Sequence, residues 1–537
     1  MGQNNKWKTY INHYTKSNKI KLQCWYWTAM YKTEDKNASL KGFSEVWVYK
    51  KTLPNSCNEI ASVWESSEYD TAEIRFERIL LLVNNKQVSL AEELAKRLPK
   101  KNHDFVSFWL KARNNPIKYL SKFVIQYSEN TYFDSAIVNI MDHYAYSSPF
   151  SAAEYWKTFK QKNKLNAKTN NLVRAEIATS LARNHKKSAL YWLGSVSNDY
   201  ADSLLWQWRI RTAVYWADWK NVVKWSEAMP KSLAKKDVWR YWYAVGLWHQ
   251  NDKEKAKIIW VKLAMIRDYY GFLAADQINA PYAIHSNEKQ VDISVQNEII
   301  KSNLVLETKA LFMLGKDNVA TQYWRWTVLR MPENQALAAA NVANKWHKYN
   351  LVIYALMASG NSGDLKKRFP VAYFGLIVEA AKKYKVDPIW ILSLMRQESH
   401  FRVDAGSWVG ALGLMQLMPT TAKYIANKYS IPYVSSGSLF TPSVNIDIGV
   451  ANMEYERHNF KNNMILATAA YNAGEGSVNN WMPLSTMKAQ RWVLAVPFLE
   501  TRHYINNILA YYIIYNTIQF GDKKIRLSQI MMDVKPK

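Results

Sequence analysis

The sequence predicts an almost entirely α-helical protein. Long segments place apolar residues three and four positions apart, which is the spacing of one helix face. Glycine and proline are scarce, with 17 and 15 in 537 residues, and patterns typical of strands are rare. A chain of this length exceeds one compact core, so we expect about two to four domains.

Residues from about 70 to 280 read as successive pairs of short helices. Stretches that begin at 178, 213 and 244 share an alanine-rich helix end, a polar turn and a Trp-bearing helix. Each pair leaves an apolar face that only its neighbours cover, which predicts an α-superhelix; a non-repeating helical array stays open. The abundant Trp residues are more typical of interhelical packing than of sugar stacking.

The helical pattern lapses at two places. Residues 279–294 are polar and read as a linker, and residues 358–370, ASGNSGDLKKRFP, form a second break before a change in composition. We therefore predict three domains, at 1–280, 281–366 and 367–537.

Charge and hydropathy limit the function classes. Lys and Arg exceed Asp and Glu by 27, which favours a polyanionic partner or reflects a generally basic surface. No nucleic-acid motif accompanies the charge, so nucleic acid is not the predicted partner. The sequence contains no run of about 18 apolar residues, so no membrane-spanning helix is predicted. The start, MGQNNKWKTY, lacks the apolar core of an export signal, so the protein is cytosolic or its signal has been removed.

Cys24 and Cys57 are the two cysteines of the chain. They are compatible with one disulfide in an oxidising compartment and equally with two free buried thiols.

The carboxyl group of Glu398 lies on the apolar face of one predicted helix. Asp387 and Pro388 form the helix start, as cap and first residue. Glu398 comes seven, four and three positions after three large apolar residues, which places all four on one face. Those residues are Ile391, Leu394 and Met395. A carboxyl group in an apolar site has a raised pKa, which suits a general acid near neutral pH.

The competing interpretation of Glu398 is a helix-end charge paired with Arg396 or Arg402.

The stretch AGSWVGALGLMQLMP that follows concentrates three glycines in a glycine-poor chain. Glycine permits close backbone approach to a ligand, although the loop also reads as a simple corner. Ser407 and Gln416 in this stretch suit sugar hydroxyl and acetamido groups.

Two later stretches complete the pattern. ATAAYNAGEG, residues 467–476, leaves room beside Tyr471 with small residues on the same helix face, while Asn472 and Gly474 also suit a helix end. VPFLETRHYINN begins a helix in which Glu500 and Tyr504 are i, i+4 neighbours. Glu500 also complements the dipole of that helix.

The motifs RQESHF, GALGLMQLMP, AYNAG and PFLETRHYI, in this order, resemble those of soluble lytic transglycosylases of the Slt70 type. The resemblance is close over about residues 370–520 and looser before, where RDYYGFLAADQI resembles the junction into that family's linker domain. It implies a U-shaped α-superhelical domain, a helical linker domain that closes a ring, and a C-terminal lysozyme-like catalytic domain.

The resemblance also implies an activity. It is cleavage of the β-1,4 bond between N-acetylmuramic acid and N-acetylglucosamine in peptidoglycan, without water, to 1,6-anhydro products. No metal or organic cofactor is implied. The partners are glycan strands and peptide stems, with cell-wall synthases as further candidates. The family is periplasmic, so we expect a removed export signal, and a disulfide in its ring domain favours pairing of Cys24 with Cys57.

Residue by residue, the resemblance makes Glu398 the single catalytic acid and base, with Tyr471 orienting Glu398 or the acetamido group. The remaining matched positions are expected to bind substrate. Ser407, Met415, Gln416 and Met418 match the groove-lining motif, Asn472 matches the motif that faces the glutamate, and Glu500 and Tyr504 match the donor-sugar side. Leu412 stands where the family often has Ser, which we regard as conservative for mechanism.

Two other function classes stay open at this point. A goose-type lysozyme on the same fold would use water as the nucleophile, and a non-catalytic helical scaffold would only bind glycan. A two-carboxylate glycosidase needs a second carboxylate about 5–9.5 Å from the acid. Asp404 lies in the following loop, and Glu500 is the one convincing candidate within the motifs.

Overall fold

The computed structural model describes residues 6–14, 17–163, 165–360, 363–521 and 525–537. Within these ranges the chain forms 33 α-helices and three short 3₁₀ helices, and β structure is limited to isolated bridges. The predicted all-α class is therefore confirmed. The chain divides into two compact units, Met1–Arg209 and Ile210–Lys537.

The first unit is built from helices α1 to α12. Their bounds are Trp7–His13, Ile20–Thr33, Lys36–Trp47, Asn58–Trp64, Ala72–Asn84, Val88–Ala95, Lys100–Asn114, Pro116–Tyr127, Phe133–Ser147, Pro149–Lys162, Ala167–Arg183 and Ala189–Ser195. Helix α13, Ser203–Tyr215, includes the residues at which the two units are divided.

The second unit contains helices α14 to α33. Those before the second predicted break are Trp219–Ala228, Lys231–Ala234, Asp237–His249, Lys253–Ala264, Tyr269–Gln277, Ile293–Lys301, Asn303–Met313, Asp317–Val328, Glu333–Lys345 and Tyr349–Ala358. Those from that break onward are Leu365–Arg368, Phe374–Tyr384, Pro388–Ser399, Pro419–Lys428, Pro442–Asn459, Met464–Ala473, Glu475–Asn480, Ala489–Ala495, Leu499–Phe520 and Leu527–Ile530.

The three predicted helix pairs share one kind of turn. The second residue after the first helix has positive φ in each: His185 (51°), Ala217 (55°) and Asn251 (67°). The next backbone N–H then donates to the carbonyl five positions earlier, over 2.8–3.0 Å. This is the Schellman ending, which closes a helix and redirects the chain within two residues. A common backbone turn thus underlies the weak sequence repeat.

Tryptophan is used mainly for packing. Trp47 and Trp64 stack with ring centroids 4.6 Å apart, and the guanidinium of Arg78 lies 4.5 Å from the centroid of Trp47. Nine Trp side chains are among the largest that are fully buried, which confirms the packing interpretation. They are Trp47, Trp64, Trp109, Trp156, Trp206, Trp242, Trp260, Trp324 and Trp492.

Cys24 and Cys57 form a disulfide that joins α2 to the short 3₁₀ helix before α4. The two cysteines are 33 positions apart and both are fully buried. Closing a loop of that length restricts the unfolded chain, which stabilises the folded state by about 3–4 kcal/mol.

Replacing both cysteines by alanine is therefore expected to destabilise the first unit by about 3–4 kcal/mol. Thermal unfolding followed by circular dichroism would report it, with wild-type protein in excess reductant as the matched control. Both samples should melt earlier than oxidised wild type, while turnover at low temperature is unchanged. An alanine pair that melts with the oxidised wild type would show that the bond contributes no stability.

The predicted linker at 279–294 is confirmed as a largely non-helical segment, because α18 ends at Gln277 and α19 begins at Ile293. Helices α19 to α23 then enclose their own apolar cluster around Trp324. The second predicted break, 358–370, includes residues 361 and 362, which lie outside the described residues, and contains α24. The predicted domain limits at 280 and 366 stay predictions.

Helix α32 is the longest and lies against α26 and α29. The segment before it is fixed by buried guanidinium groups. Arg211 donates to the carbonyls of residues 494–496 over 2.7–3.2 Å, and Arg502 donates to that of Val496 over 2.5 Å. These charge-assisted bonds set where α32 begins. None of the described helices combines the length and apolar character needed to cross a bilayer.

Candidate active site

Helix α26 begins where the sequence predicts. The Asp387 side chain accepts hydrogen bonds from the backbone N–H groups of Ile389 (2.7 Å) and Trp390 (3.4 Å), and Pro388 is the first helical residue. The hydroxyl of Tyr512, on α32, donates to the same carboxyl group over 2.6 Å. The cap thus also ties the start of α26 to α32.

Glu398 lies near the end of α26 on its apolar face, as predicted. Ile391, Leu394 and Met395 are fully buried, and Glu398 itself is half-buried, so a substrate oxygen can still reach it. The pKa of Glu398 is raised to about 8: burial raises it most, a hydrogen bond from Tyr504 opposes this, and the charge of Glu500 adds a smaller increase. At neutral pH the carboxyl group is therefore mostly protonated and can act as an acid.

The residue that contacts Glu398 directly is Tyr504 of α32. Its hydroxyl donates to Oε1 of Glu398 over 2.5 Å. Tyr504 is buried, and its own pKa is raised well above 10 by burial and then by the charge of Glu398. The sequence predicts a sugar-side role for Tyr504, so this contact is an addition to it.

The alternative in which Glu398 pairs with an arginine is wrong. Arg396 is buried between the rings of Phe369 and Tyr511, with its guanidinium 4.5 and 4.4 Å from their centroids. Arg402 lies beside Asp404, with Nε 3.3 Å from its carboxylate. No ion pair to Glu398 occurs among the described residues, which leaves its carboxyl group free for proton transfer.

The glycine-rich stretch forms a tight loop with two isolated bridges, from Gly406 to Leu412 and from Leu412 to Leu417. The Ser407 hydroxyl oxygen accepts from the N–H of Ala411 over 2.9 Å. The Gln416 amide nitrogen donates to the carbonyls of Ala405 and Gly413, over 3.2 and 2.8 Å. These groups already stabilise the loop. The side-chain carbonyl oxygen of Gln416 is therefore the atom of this amide that can still bind a ligand.

The two predicted methionines differ in position. Met415 is fully buried, so its side chain does not line a groove, contrary to the prediction. It packs on α28 at Gly449, where a Cβ would stand 2.3 Å from its sulfur. Met415 contributes through its backbone, whose carbonyl accepts from Tyr471. Met418 is 38% exposed at the start of α27 and is accessible to a substrate.

Tyr471 lies on α29 and does not hydrogen-bond to Glu398. Its hydroxyl donates to the carbonyl of Met415 over 2.8 Å, and Asn452 of α28 hydrogen-bonds to it as well. Burial and then the nearby charge of Glu398 raise the pKa of Tyr471 well above 10. The direct contact with Glu398 thus comes from Tyr504, and the predicted orientation of Glu398 or of the acetamido group by Tyr471 stays a prediction.

Asn472 lies on α29 and Glu500 on α32, two helices that are in contact. The Asn472 side-chain oxygen accepts from the hydroxyl of Thr501 over 2.7 Å, which links α29 to the first turn of α32. Glu500 is exposed in that turn. Its charge acts on Glu398, while Asp404 is occupied by Arg402. Glu500 is therefore the better candidate for a second carboxylate near the acid.

The sequence interpretation missed Asn445, the residue that fixes the loop beside Glu398. Its fully buried side chain accepts from the N–H of Met415 over 2.8 Å and donates to the carbonyls of Leu412 and Leu439 over 3.1 and 2.8 Å. An Asn between Val444 and Ile446 near the start of α28 was the available signal. Nothing in the sequence shows which loop it contacts.

Tyr504→Phe is expected to lower kcat about ten- to hundredfold, because a hydrogen bond to a charged group contributes about 1.5–3 kcal/mol. Without the donor the pKa of Glu398 rises above about 8, so the loss of activity that follows ionisation of Glu398 moves to higher pH. Steady-state rates across pH measure both effects.

Tyr512→Phe is the matched control for that experiment. It removes the same hydroxyl from the same helix, where its partner is Asp387. This variant should lose stability and keep the wild-type pH profile. Equal effects of the two substitutions on the profile would contradict the assigned role of Tyr504.

Comparison with known proteins agrees with this geometry. A family model described as Transglycosylase SLT domain matches residues 375–492. The chain is 29% identical over 516 residues to the soluble lytic murein transglycosylase of Escherichia coli K12, covering 94% of this chain and 78% of that protein. The protein of that name from Salmonella typhimurium is 28% identical over 494 residues, with 91% and 76% covered.

Solved structures match over nearly the whole chain. An inactive mutant of the lytic transglycosylase Slt from Pseudomonas aeruginosa has a TM-score of 0.85 at 28% identity and covers 98% of this chain and 86% of that one. The 70-kDa soluble lytic transglycosylase of E. coli has a TM-score of 0.84 at 27% identity, with 99% and 85% covered. A complex of a 70-kDa soluble lytic transglycosylase with bulgecin A has a TM-score of 0.82.

Proposed function

We propose, for a chain that belongs to the soluble lytic transglycosylases, that it cleaves the β-1,4 bond between N-acetylmuramic acid and N-acetylglucosamine of peptidoglycan without adding water. Glu398 is the single acid and base of this reaction. The observation that carries the proposal is a half-buried carboxyl group of pKa about 8, free of any cationic partner among the described residues.

In the first step the protonated Glu398 donates its proton to the glycosidic oxygen. The bond from C1 of the muramoyl residue to that oxygen breaks, and the N-acetylglucosamine side leaves as an alcohol. The substrate's own 2-acetamido group stabilises the positive charge that develops at C1, so no second enzyme carboxylate is required. The high pKa of Glu398 supplies the proton at neutral pH.

In the second step the carboxylate of Glu398 removes the proton from the C6 hydroxyl of the same muramoyl residue. The C6 oxygen attacks C1 and closes the 1,6-anhydro ring, and Glu398 is protonated again for the next cycle. The Tyr504 hydroxyl stabilises the carboxylate between the two steps. A group of pKa about 8 is a weak acid but a correspondingly competent base, which suits both roles.

Digestion of purified sacculi, followed by mass spectrometry of the released muropeptides, tests the proposal. Anhydro products are lighter by one water than the reducing-end products of a hydrolase. Only anhydro ends are expected. Exclusively reducing ends would assign goose-type lysozyme chemistry to this fold, and sacculi that bind the protein without release of muropeptides would assign a non-catalytic scaffold.

The remaining surface and the cysteines fit the same setting. The net charge of +27 complements the carboxylates of peptide stems, so binding to sacculi should weaken as salt increases. A disulfide is stable in an oxidising compartment, which supports the periplasm as the site of action. A cell-wall synthase as a further partner stays a prediction from the family resemblance.

A further inference from the structure

Helix α28 carries a row of buried polar side chains behind the candidate site. Asn445, Asn452 and Glu456 are spaced by seven and four residues, which places them on one helix face. They are 0%, 5% and 8% exposed. Buried polar groups cost free energy unless they are partnered. The buried polar side chains of this row are therefore expected to hold the neighbouring segments through hydrogen bonds.

Two members of the row have partners that belong to the site. Asn445 holds the glycine-rich loop, and Asn452 hydrogen-bonds to Tyr471, which in turn donates to the carbonyl of Met415. Glu456 differs from them. Its Oε2 is completely buried and has no hydrogen-bond partner among the described residues. A carboxyl group in such a position is stable only while it is uncharged.

We infer that Glu456 is a positioning residue for the reaction: uncharged, it leaves Asn452 and Tyr471 in place beside Glu398, and its ionisation displaces them and lowers activity. The inference rests on the proposed function. A carboxylate requires donors for both oxygens. Two donors lie near Glu456: the amide of Asn452, one helix turn earlier, and the hydroxyl of Tyr471, whose pKa the charge of Glu456 raises. If the Asn452 amide or the Tyr471 hydroxyl turns toward the ionised Glu456, Tyr471 loses one of its present hydrogen bonds.

The charges around Glu456 come from few elements. Glu475, exposed at the start of α30, is the acidic neighbour of Glu456. Tyr471 of α29 is the phenolic group whose pKa the charge of Glu456 raises. Three charged or phenolic groups, from α25 and from the end of α27 with the residue after it, are engaged with other residues of α28. Lys383 lies 2.9 Å from Asp447, Tyr429 bonds to Glu454, and Lys428 covers the ring of Tyr455.

Burial, followed by the charge of Glu475, raises the pKa of Glu456 to about 7. Glu456 thus ionises before Glu398, whose pKa is about 8. Activity is fully present while Glu456 is protonated and declines as pH rises through about 7. Activity therefore declines in two steps, first as Glu456 ionises near pH 7 and then as Glu398 ionises near pH 8.

The test is the pH dependence of kcat/KM on soluble glycan chains for wild type, Glu456→Gln and Glu475→Gln. Glutamine at 456 cannot ionise, so the alkaline limit should move up from about 7 toward the value of about 8 set by Glu398. Glu475→Gln removes the charge that raises the pKa of Glu456, so its limit should move to lower pH. Opposite shifts from two neutralising substitutions are not expected of a structural defect.

Superimposed profiles of wild type and Glu456→Gln, with active protein, would overturn the inference alone. A shift of both variants in the same direction would do so as well. Because Glu475 is exposed, Glu475→Gln keeps the test decisive if the buried substitution prevents folding. Wild-type protein that releases no muropeptide at any pH would instead overturn the proposed function, and this inference with it.

Discussion

Glu398→Gln is expected to abolish muropeptide release while glycan binding is retained. Glutamine has nearly the same shape but can neither donate a proton to the glycosidic oxygen nor accept one from the C6 hydroxyl. General acid–base catalysis contributes about 10²- to 10⁴-fold for a proton transfer, and this residue serves two. We therefore expect kcat to decrease by at least about a thousandfold. Release from sacculi and pull-down of the same sacculi measure the two properties.

Glu500→Gln provides the matched control for that variant. Glu500 is exposed, and its charge raises the pKa of Glu398. Its neutralisation should lower that pKa and leave most of the activity. Comparable loss in both variants would show that Glu500 takes part in chemistry as a second carboxylate. Lytic activity of Glu398→Gln near the wild-type level would contradict the single-carboxyl mechanism altogether.

Gly413→Ala is expected to disrupt the loop beside Glu398. Gly413 has a φ of 76°, and a Cβ there would lie 2.1 Å from the carbonyl oxygen of Leu439 and 2.2 Å from Nδ2 of Asn445. The first of these is backbone, and the second is the side chain that holds the loop. Loss of the three hydrogen bonds of Asn445, plus backbone strain, should destabilise the fold by about 3–5 kcal/mol. Unfolding in denaturant and lytic assays should both show the defect.

Gly410→Ala separates backbone strain from collision. Gly410 lies in the same loop with a φ of 97°, but its Cβ would meet nothing within 4 Å. Its substitution should cost only about 1–2 kcal/mol. Equal destabilisation by the two substitutions would mean that the contacts of Asn445 contribute little.

The sequence is sufficient for much of the helical framework because the relevant signals are local. Asp387 and Pro388 specify the start of α26 through a cap and a fixed φ. The spacing of Glu398 from Ile391 and Leu394 specifies its apolar surroundings. Both outcomes follow from residues within a few helix turns, which is the range over which periodicity is informative.

Contacts between distant segments were beyond that range. The pairing of Tyr504 with Glu398 spans 106 positions, and that of Tyr471 with Met415 spans 56. The sequence motifs bring these residues to the site but do not state which hydroxyl donates to which oxygen. The buried side chain of Met415 was mispredicted for the same reason, since the space it fills exists only because residue 449 of another helix is glycine.

The central claim is that a single carboxyl group closes an anhydro ring without water. Digestion of sacculi in water enriched in the heavy oxygen isotope tests it most directly, with mass spectrometry of the products at early times. The proposed mechanism predicts anhydro ends that carry no heavy oxygen. Incorporation of one heavy oxygen at each new muramoyl end would show that water attacks C1, and would contradict the account.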